Sequence, residues 1–120
     1  MSQVRAKAEE LAKAIKESPE FARLKAAQAR LAENTAAQIM YSDFQKLQLE
    51  VEKMRLSGEE VPEAKLEEVR KKYELLMFNE DIKEIIMAEA ELSQLMVEIQ
   101  QILAESLGLL RPAGDDQTVN

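Results

Sequence analysis

The longest regular pattern in the chain runs from Asn79 to Leu110. Ile85, Ala88, Leu92, Leu95, Ile99 and Ile102 follow one another at spacings of three and four, the repeat that keeps an apolar seam on one side of an α-helix. Met96, Leu103 and Leu110 widen the seam on one side. Glu84, Glu91, Glu98 and Glu105 recur every seven residues and give it an acidic flank. At about 1.5 Å per residue the pattern predicts a rod of roughly 45 Å. A compact four-helix core of this size needs less, so part of the rod is expected to meet another chain.

The preceding segments carry the same period. Residues 3–17 read as a first helix with Val4, Ala8, Leu11 and Ile15 on one face. Ser18-Pro19-Glu20 restarts the helix: Ser caps it, Pro suits its first position and Glu its positive end. Phe21, Leu24, Gln28 and Leu31 continue a face, and Ala22, Ala26, Ala27 and Ala29 are small enough to admit a close neighbour. The pattern breaks or kinks at Glu33-Asn34-Thr35, then resumes to Leu56. Over that stretch Phe44, Leu47, Val51 and Met54 form one seam, while Leu49 and Leu56 point nearly the other way. A helix apolar on two faces is expected to be sandwiched. Ser57-Gly58 ends it, with Gly58 as a left-handed terminator.

A short acidic loop from Glu59 to Glu63 leads into a helix bearing Leu66, Val69, Tyr73 and Leu76 on one face. Phe78-Asn79-Glu80-Asp81 forms a junction, with Asn79 as the cap of the last helix and two acids in its first turn. The expectation is a bend there without a break. Residues 111–120 hold Pro112, Gly114 and polar residues without periodicity, and read as a disordered tail.

Composition narrows the class. Of 120 residues, 46% are apolar but only 4% aromatic, with three glycines and three prolines. That is the make-up of a helical bundle. The fold class expected is all-α: one domain over residues 1–110, with long antiparallel coiled-coil-like helices and a short helical region at the N-terminus. The chain holds neither cysteine nor histidine, which excludes disulfides, iron–sulfur ligation through thiolates, the usual zinc sites and the Glu-x-x-His di-iron motif. No cofactor and no metal are expected. The N-terminus lacks the apolar stretch of a signal peptide and no run approaches a membrane span, so the expected location is the cytoplasm.

The net charge of −7 is unevenly spread. Residues 1–34 hold seven Lys/Arg against five Asp/Glu, a balance of +2, and residues 35–120 hold nine against eighteen, a balance of −9. The acidic bulk disfavours direct nucleic-acid binding. The basic end suits an acidic partner or the acidic half of a second copy.

Catalytic chemistry finds little footing. Glu89 is the best placed carboxylate, beside the seam between Ile85 and Leu92, and is expected to pair with a cation or meet a partner's helix end. The heptad glutamates sit roughly 10 Å apart along the axis, too far for neighbours to share one ion. They read as a flank that selects basic residues on a partner, or as a solvated edge. Ser42, Ser93 and Ser106 lack a histidine to activate them. Met40, Met54, Met77, Met87 and Met96 are scattered as core filling. Met87, Ala90 and Val97 lie off the main seam and, if exposed, make a second contact surface.

The order of these signals resembles the small helical bacterial YlbF/YmcA-like family of regulators, in particular its YheA-like branch. The residues that carry the likeness are Ala8-x-x-Leu11-x-x-x-Ile15-x-x-Ser18-x-Glu20, Phe44-x-x-x-Gln48, Asn79-x-x-Ile82 and Ala88-Glu89-x-x-Leu92-x-x-Leu95-Met96-x-x-Ile99. The resemblance covers about residues 4–108. The resemblance implies a cytoplasmic helical protein forming homo- or hetero-oligomers. It also implies kinship with non-catalytic regulators of competence, sporulation and biofilm development that act in a complex linked to an RNA-decay endonuclease. Some of those relatives ligate iron–sulfur clusters through cysteines that this chain lacks, so the cofactor does not carry over.

The reading reached is a non-enzymatic interaction protein, an oligomeric adaptor or regulator, with a self-assembling scaffold as the alternative. Its expected partners are a second copy (dimer or tetramer), paralogous regulators or the RNA-decay endonuclease complex, without membrane. The candidate interface is Phe44, Leu47, Val51, Met54, Ile85, Leu92, Leu95, Met96, Ile99, Ile102 and Leu103, and the candidate partner-selecting flank is Glu84, Glu91, Glu98 and Glu105.

Overall fold

Three polar side chains set where helices begin. In the computed structural model, which describes residues 2–109, Ser18 Oγ accepts from the Phe21 amide at 3.2 Å. Asn34 Oδ1 accepts from Ala37 at 3.1 Å and Asn79 Oδ1 from Ile82 at 3.1 Å. Each satisfies an amide that the first helical turn leaves without a partner. The resulting helices are α1 (Ser2–Lys16), α2 (Pro19–Ala32), α3 (Thr35–Leu56), α4 (Glu63–Leu76) and α5 (Glu80–Ser106), with no strand among the described residues. The all-α expectation holds. The hesitation at Glu33-Asn34-Thr35 is a full break, and so is the junction at Phe78, where a bend had been expected.

Two helices end on glycine. At Gly58 (φ +80°) and Gly108 (φ +72°) the chain turns left-handed. The next amide reaches back to the carbonyl five residues earlier, Glu59 to Met54 at 2.9 Å and Leu109 to Ala104 at 2.8 Å, the paired arrangement that closes a helix with its last carbonyls occupied. Gly108 therefore stops α5 short of Leu110, and its 27 residues measure roughly 40 Å. Leu110 and the tail read at 111–120 lie outside the described residues.

Topologically, α3 and α4 form an antiparallel hairpin inserted between α2 and α5, which themselves pair antiparallel. Lys65 and Glu50 bridge the hairpin at 3.2 Å, and the rings of Phe44 and Tyr73 meet at 5.9 Å. The core gathers Ala27 of α2, Ala37, Tyr41 and Phe44 of α3, Leu76 of α4, and Ile82, Ile85 and Ala88 of α5. Alanines at 27, 37 and 88, all essentially inaccessible, let the helix backbones draw close. Of the four α2 alanines expected to admit a neighbour, only Ala27 does so; Ala22, Ala26 and Ala29 are exposed. Leu47 and Val51 are buried farther along α3.

This core occupies one end of the molecule. No residue of α1 is buried, and the burial on α5 stops at Ala88. The radius of gyration is 18.9 Å, with extents of 45 × 41 × 24 Å, against roughly 13–14 Å for a compact chain of this length. The distal half of α5 and all of α1 form an arm that projects from the core.

Candidate interaction surface

On the proximal half of α5 the acids are already engaged. Arg23 of α2 lays its guanidinium on Glu84 in a two-point contact, Nε to Oε2 at 2.8 Å and Nη2 to Oε1 at 3.0 Å, and donates through Nη1 to Glu91 at 2.8 Å. One turn nearer the core, Arg30 Nη2 meets Asp81 at 3.0 Å and Asn34 Nδ2 donates to the other Asp81 oxygen at 3.0 Å. The hydrogen bond from Arg23, helped by its charge, holds the Glu84 carboxyl below the usual carboxylate range. Asp81 is lowered too, first by the hydrogen bond from Asn34 and then by Arg30. Glu89 meets neither cation nor helix end among the described residues. Its carboxylate accepts from the Tyr41 hydroxyl at 2.6 Å, and burial, reinforced by Glu89, pushes that phenol's pKa up.

These contacts divide the predicted interface. Phe44, Leu47, Val51 and Ile85 are buried inside the chain and are corrected from interface to core. The hairpin partner α4 covers the first three, a packing that the α3 period alone does not distinguish from an intermolecular one. Met54, Leu92, Leu95 and Ile99 are half-buried. Met96, Ile102 and Leu103 are open to solvent, Ile102 at 62% and Leu103 at 53% exposure. The flank divides likewise. Glu84 and Glu91 are paired with Arg23 within the chain, whereas Glu98 and Glu105 have no ion-pair partner among the described residues. The seam is continuous in sequence but its cover is not, because α2 runs out alongside the middle of α5.

What the sequence reading left out of the interface is α1. Its Val4, Ala8 and Leu11 face Leu103 of α5 across an open apolar groove of about 480 Å³, edged by Gln3 and Lys7. The signal was the regular spacing of Val4, Ala8, Leu11 and Ile15, read as a helix face without asking what covers it. Two smaller apolar exposures lie elsewhere. Met87 and Val97, with Ala90, are exposed off the main seam. Leu75 and Met40 line a shallow cleft near exposed Phe78. The cleft between α3 and α4 alternates Lys46, Lys53 and Lys72 with Asp43, Glu50 and Glu68, so it presents no single sign of charge to a ligand. The basic first third is partly spent inside the chain, since Arg23 and Arg30 are bound to α5.

Residues 4–108 match the family described as control of competence regulator ComK, YlbF/YmcA. The chain belongs to this family. The matched span includes α1 and the distal half of α5 as well as the core. A UPF0342 protein of Caldicellulosiruptor bescii is 40% identical over 98 residues, 82% of each chain. Another from Alkalihalophilus pseudofirmus is 35% identical over 107 residues, 89% of this chain and 91% of the relative. A protein of unknown function (DUF964) from Bacillus stearothermophilus shares the fold with a TM-score of 0.82 at 25% identity, covering 92% of this chain and 97% of its own. The family description names the control of a regulator and not a reaction. Among the described residues no helix is long and apolar enough to cross a membrane.

Proposed function

We propose that the protein is a non-enzymatic helical adaptor, which acts in bacterial regulation by offering the apolar arm of α1 and distal α5 to partner helices. The observation that carries this reading is the exposure of Met96, Ile102 and Leu103 on distal α5, continued by Leu107 and Leu109 just past its end, beside the equally open face of α1. Contiguous exposed apolar surface of this kind, edged by charge, is the mark of an interaction site. Glu98 and Glu105, without an ion-pair partner among the described residues, border that surface and favour partners with basic residues at the matching positions. Membership of a family described by control of a competence regulator supports regulation by contact.

A tagged chain recovered from its native host, with and without RNase, tests the reading by mass spectrometry. The expected result is recovery of regulatory relatives of the family or of the RNA-decay endonuclease, resistant to RNase and lost when Ile102 and Leu103 are both replaced by Asp. No specific prey, or prey held equally well by the substituted chain, overturns it.

A further inference from the structure

We infer that α1 is a swinging arm hinged at Glu17-Ser18, and that the Ser18 side chain is the pin that fixes its angle against the rest of the molecule. The inference deepens the adaptor reading and rests on it for its consequence, since the angle of α1 sets how far the apolar groove beside distal α5 stands open. The hinge itself is read from the chain without any partner.

The first observation is where α1 is held. Of its 15 residues, Ile15 in the last turn is the one that is not exposed. Val4, near the other end, is 76% exposed. The ion pairs of α1, Arg5 with Glu9 and Lys7 with Glu10, stay within the helix, and among the described residues none joins it to another element. It faces Leu103 of α5 across an open groove and not through a packed contact. A helix fastened at one end is a lever. At about 1.5 Å per residue α1 is roughly 22 Å long, so a turn of about 20° at its base carries Ser2 through roughly 8 Å.

The second observation is what stands at the base. Pro19 has no amide to continue the helical ladder, and its ring would collide with the Ile15 carbonyl if the helix ran on. Ser18 precedes it in an extended conformation, φ −79° and ψ 155°, the one a following proline favours. Its hydroxyl bonds in both directions. Ser18 Oγ donates to the Ile15 carbonyl of α1 at 2.6 Å, and the same oxygen accepts from the Phe21 amide of α2 at 3.2 Å. Both bonds hang on one χ1. The contact with Ile15 therefore restrains φ of Ser18 and the contact with Phe21 restrains ψ, and rotation about those two torsions is what swings α1.

A cap for α2 needs only the second bond. Aspartate supplies it as serine does, but an ionised carboxylate has no proton to give Ile15, and its charge lies against the negative end of α1. Ser18→Asp therefore keeps the cap and removes the pin, Ser18→Thr keeps both, and Ser18→Ala keeps neither.

Double electron–electron resonance reads the angle. The chain holds no cysteine, so spin labels at Ala6→Cys in α1 and Lys71→Cys in α4, both exposed positions, report one distance. The labelled chain is diluted in excess unlabelled chain so that only the distance within one molecule is measured. A single narrow distribution is expected for the labelled parent and for Ser18→Thr. Ser18→Asp is expected to broaden it by up to roughly 6 Å, the travel of residue 6 over a swing of about 20°, with the urea midpoint of the parent retained. Ser18→Ala is expected to be broad and to lose midpoint as well.

A Ser18→Asp chain as narrow as the parent overturns the inference, because the cap alone then holds the angle. So does a parent or a Ser18→Thr chain that is already broad. A Ser18→Asp chain that is broad but loses midpoint as far as Ser18→Ala also counts against it, since the cap and not the pin has then failed. A Ser18→Asp chain whose arm swings while its prey from the host are retained keeps the hinge and counts against the arm as the adaptor surface. A rigid Ser18→Asp chain overturns the hinge and leaves the adaptor reading to its own test at Ile102 and Leu103.

Discussion

Ile82 and Ile102 share a helix and little else. The first is 0% exposed within the core and the second 62% exposed on the arm, so the same substitution measures two different things. Ile82→Ala removes buried methyl groups from a packed site and should cost about 2–5 kcal/mol of unfolding free energy. Ile102→Ala, at an exposed position of the arm, should change it by less than about 0.5 kcal/mol. Urea titration of both variants checks the pair. The ionic residues add a pH signature. Glu84 and Asp81 have carboxyls lowered by their partners in the folded chain, so their stabilisation is fully present above the ordinary carboxylate range and is lost as pH falls through the lowered folded values. The urea midpoint should therefore decline on acidification from about pH 4 downward. Glu84→Gln should lower the neutral-pH midpoint and flatten the decline.

At the scale of elements, α1 is a helix without a core. With no buried residue and only 15 residues, it is near the length at which an isolated helix is marginal in water. Its amides should exchange with solvent orders of magnitude faster than those of α3 in dilute protein. They should gain protection as concentration rises if a second copy covers them, and hydrogen exchange at two concentrations reads this directly. The same scale shows what the sequence could and could not tell. Ser18, Gly58 and Asn79 act through local hydrogen bonds and backbone angles, and their roles were legible from their identities and neighbours. So was the apolar face of each helix. Which face meets which was not, because Phe44, Leu47 and Val51 carry a period that looks the same whether α4 or another chain covers it. Arg23 gave no sign of its reach, since its acids lie 61 and 68 residues away. The end of α5 is hidden for a local reason: the apolar period runs on to Leu110, past Gly108, which is the same left-handed stop as Gly58.

At the scale of the whole molecule, the pairing of α2 with α5 across the α3–α4 hairpin poses a problem of alignment. The acids of α5 repeat every seven residues, so they resemble the teeth of a rack. Slide α5 along α2 by one repeat, about 10 Å, and Arg23 finds Glu91 and Glu98 where it had Glu84 and Glu91. The clamp is as content in the wrong notch as in the right one. Ile82 and Ala88 are not. The slip would carry Glu89 into the sealed position of Ile82 and the bulk of Leu95 into the sealed position of Ala88, while Asp81 would give way to Ala88 and strand Arg30 and Asn34. A buried carboxylate and an overfilled contact each cost more than an exposed ion pair returns. The notch is thus chosen at the sealed end of the helix, and the rack is left free to extend past α2 with two teeth, Glu98 and Glu105, that form no ion pair among the described residues.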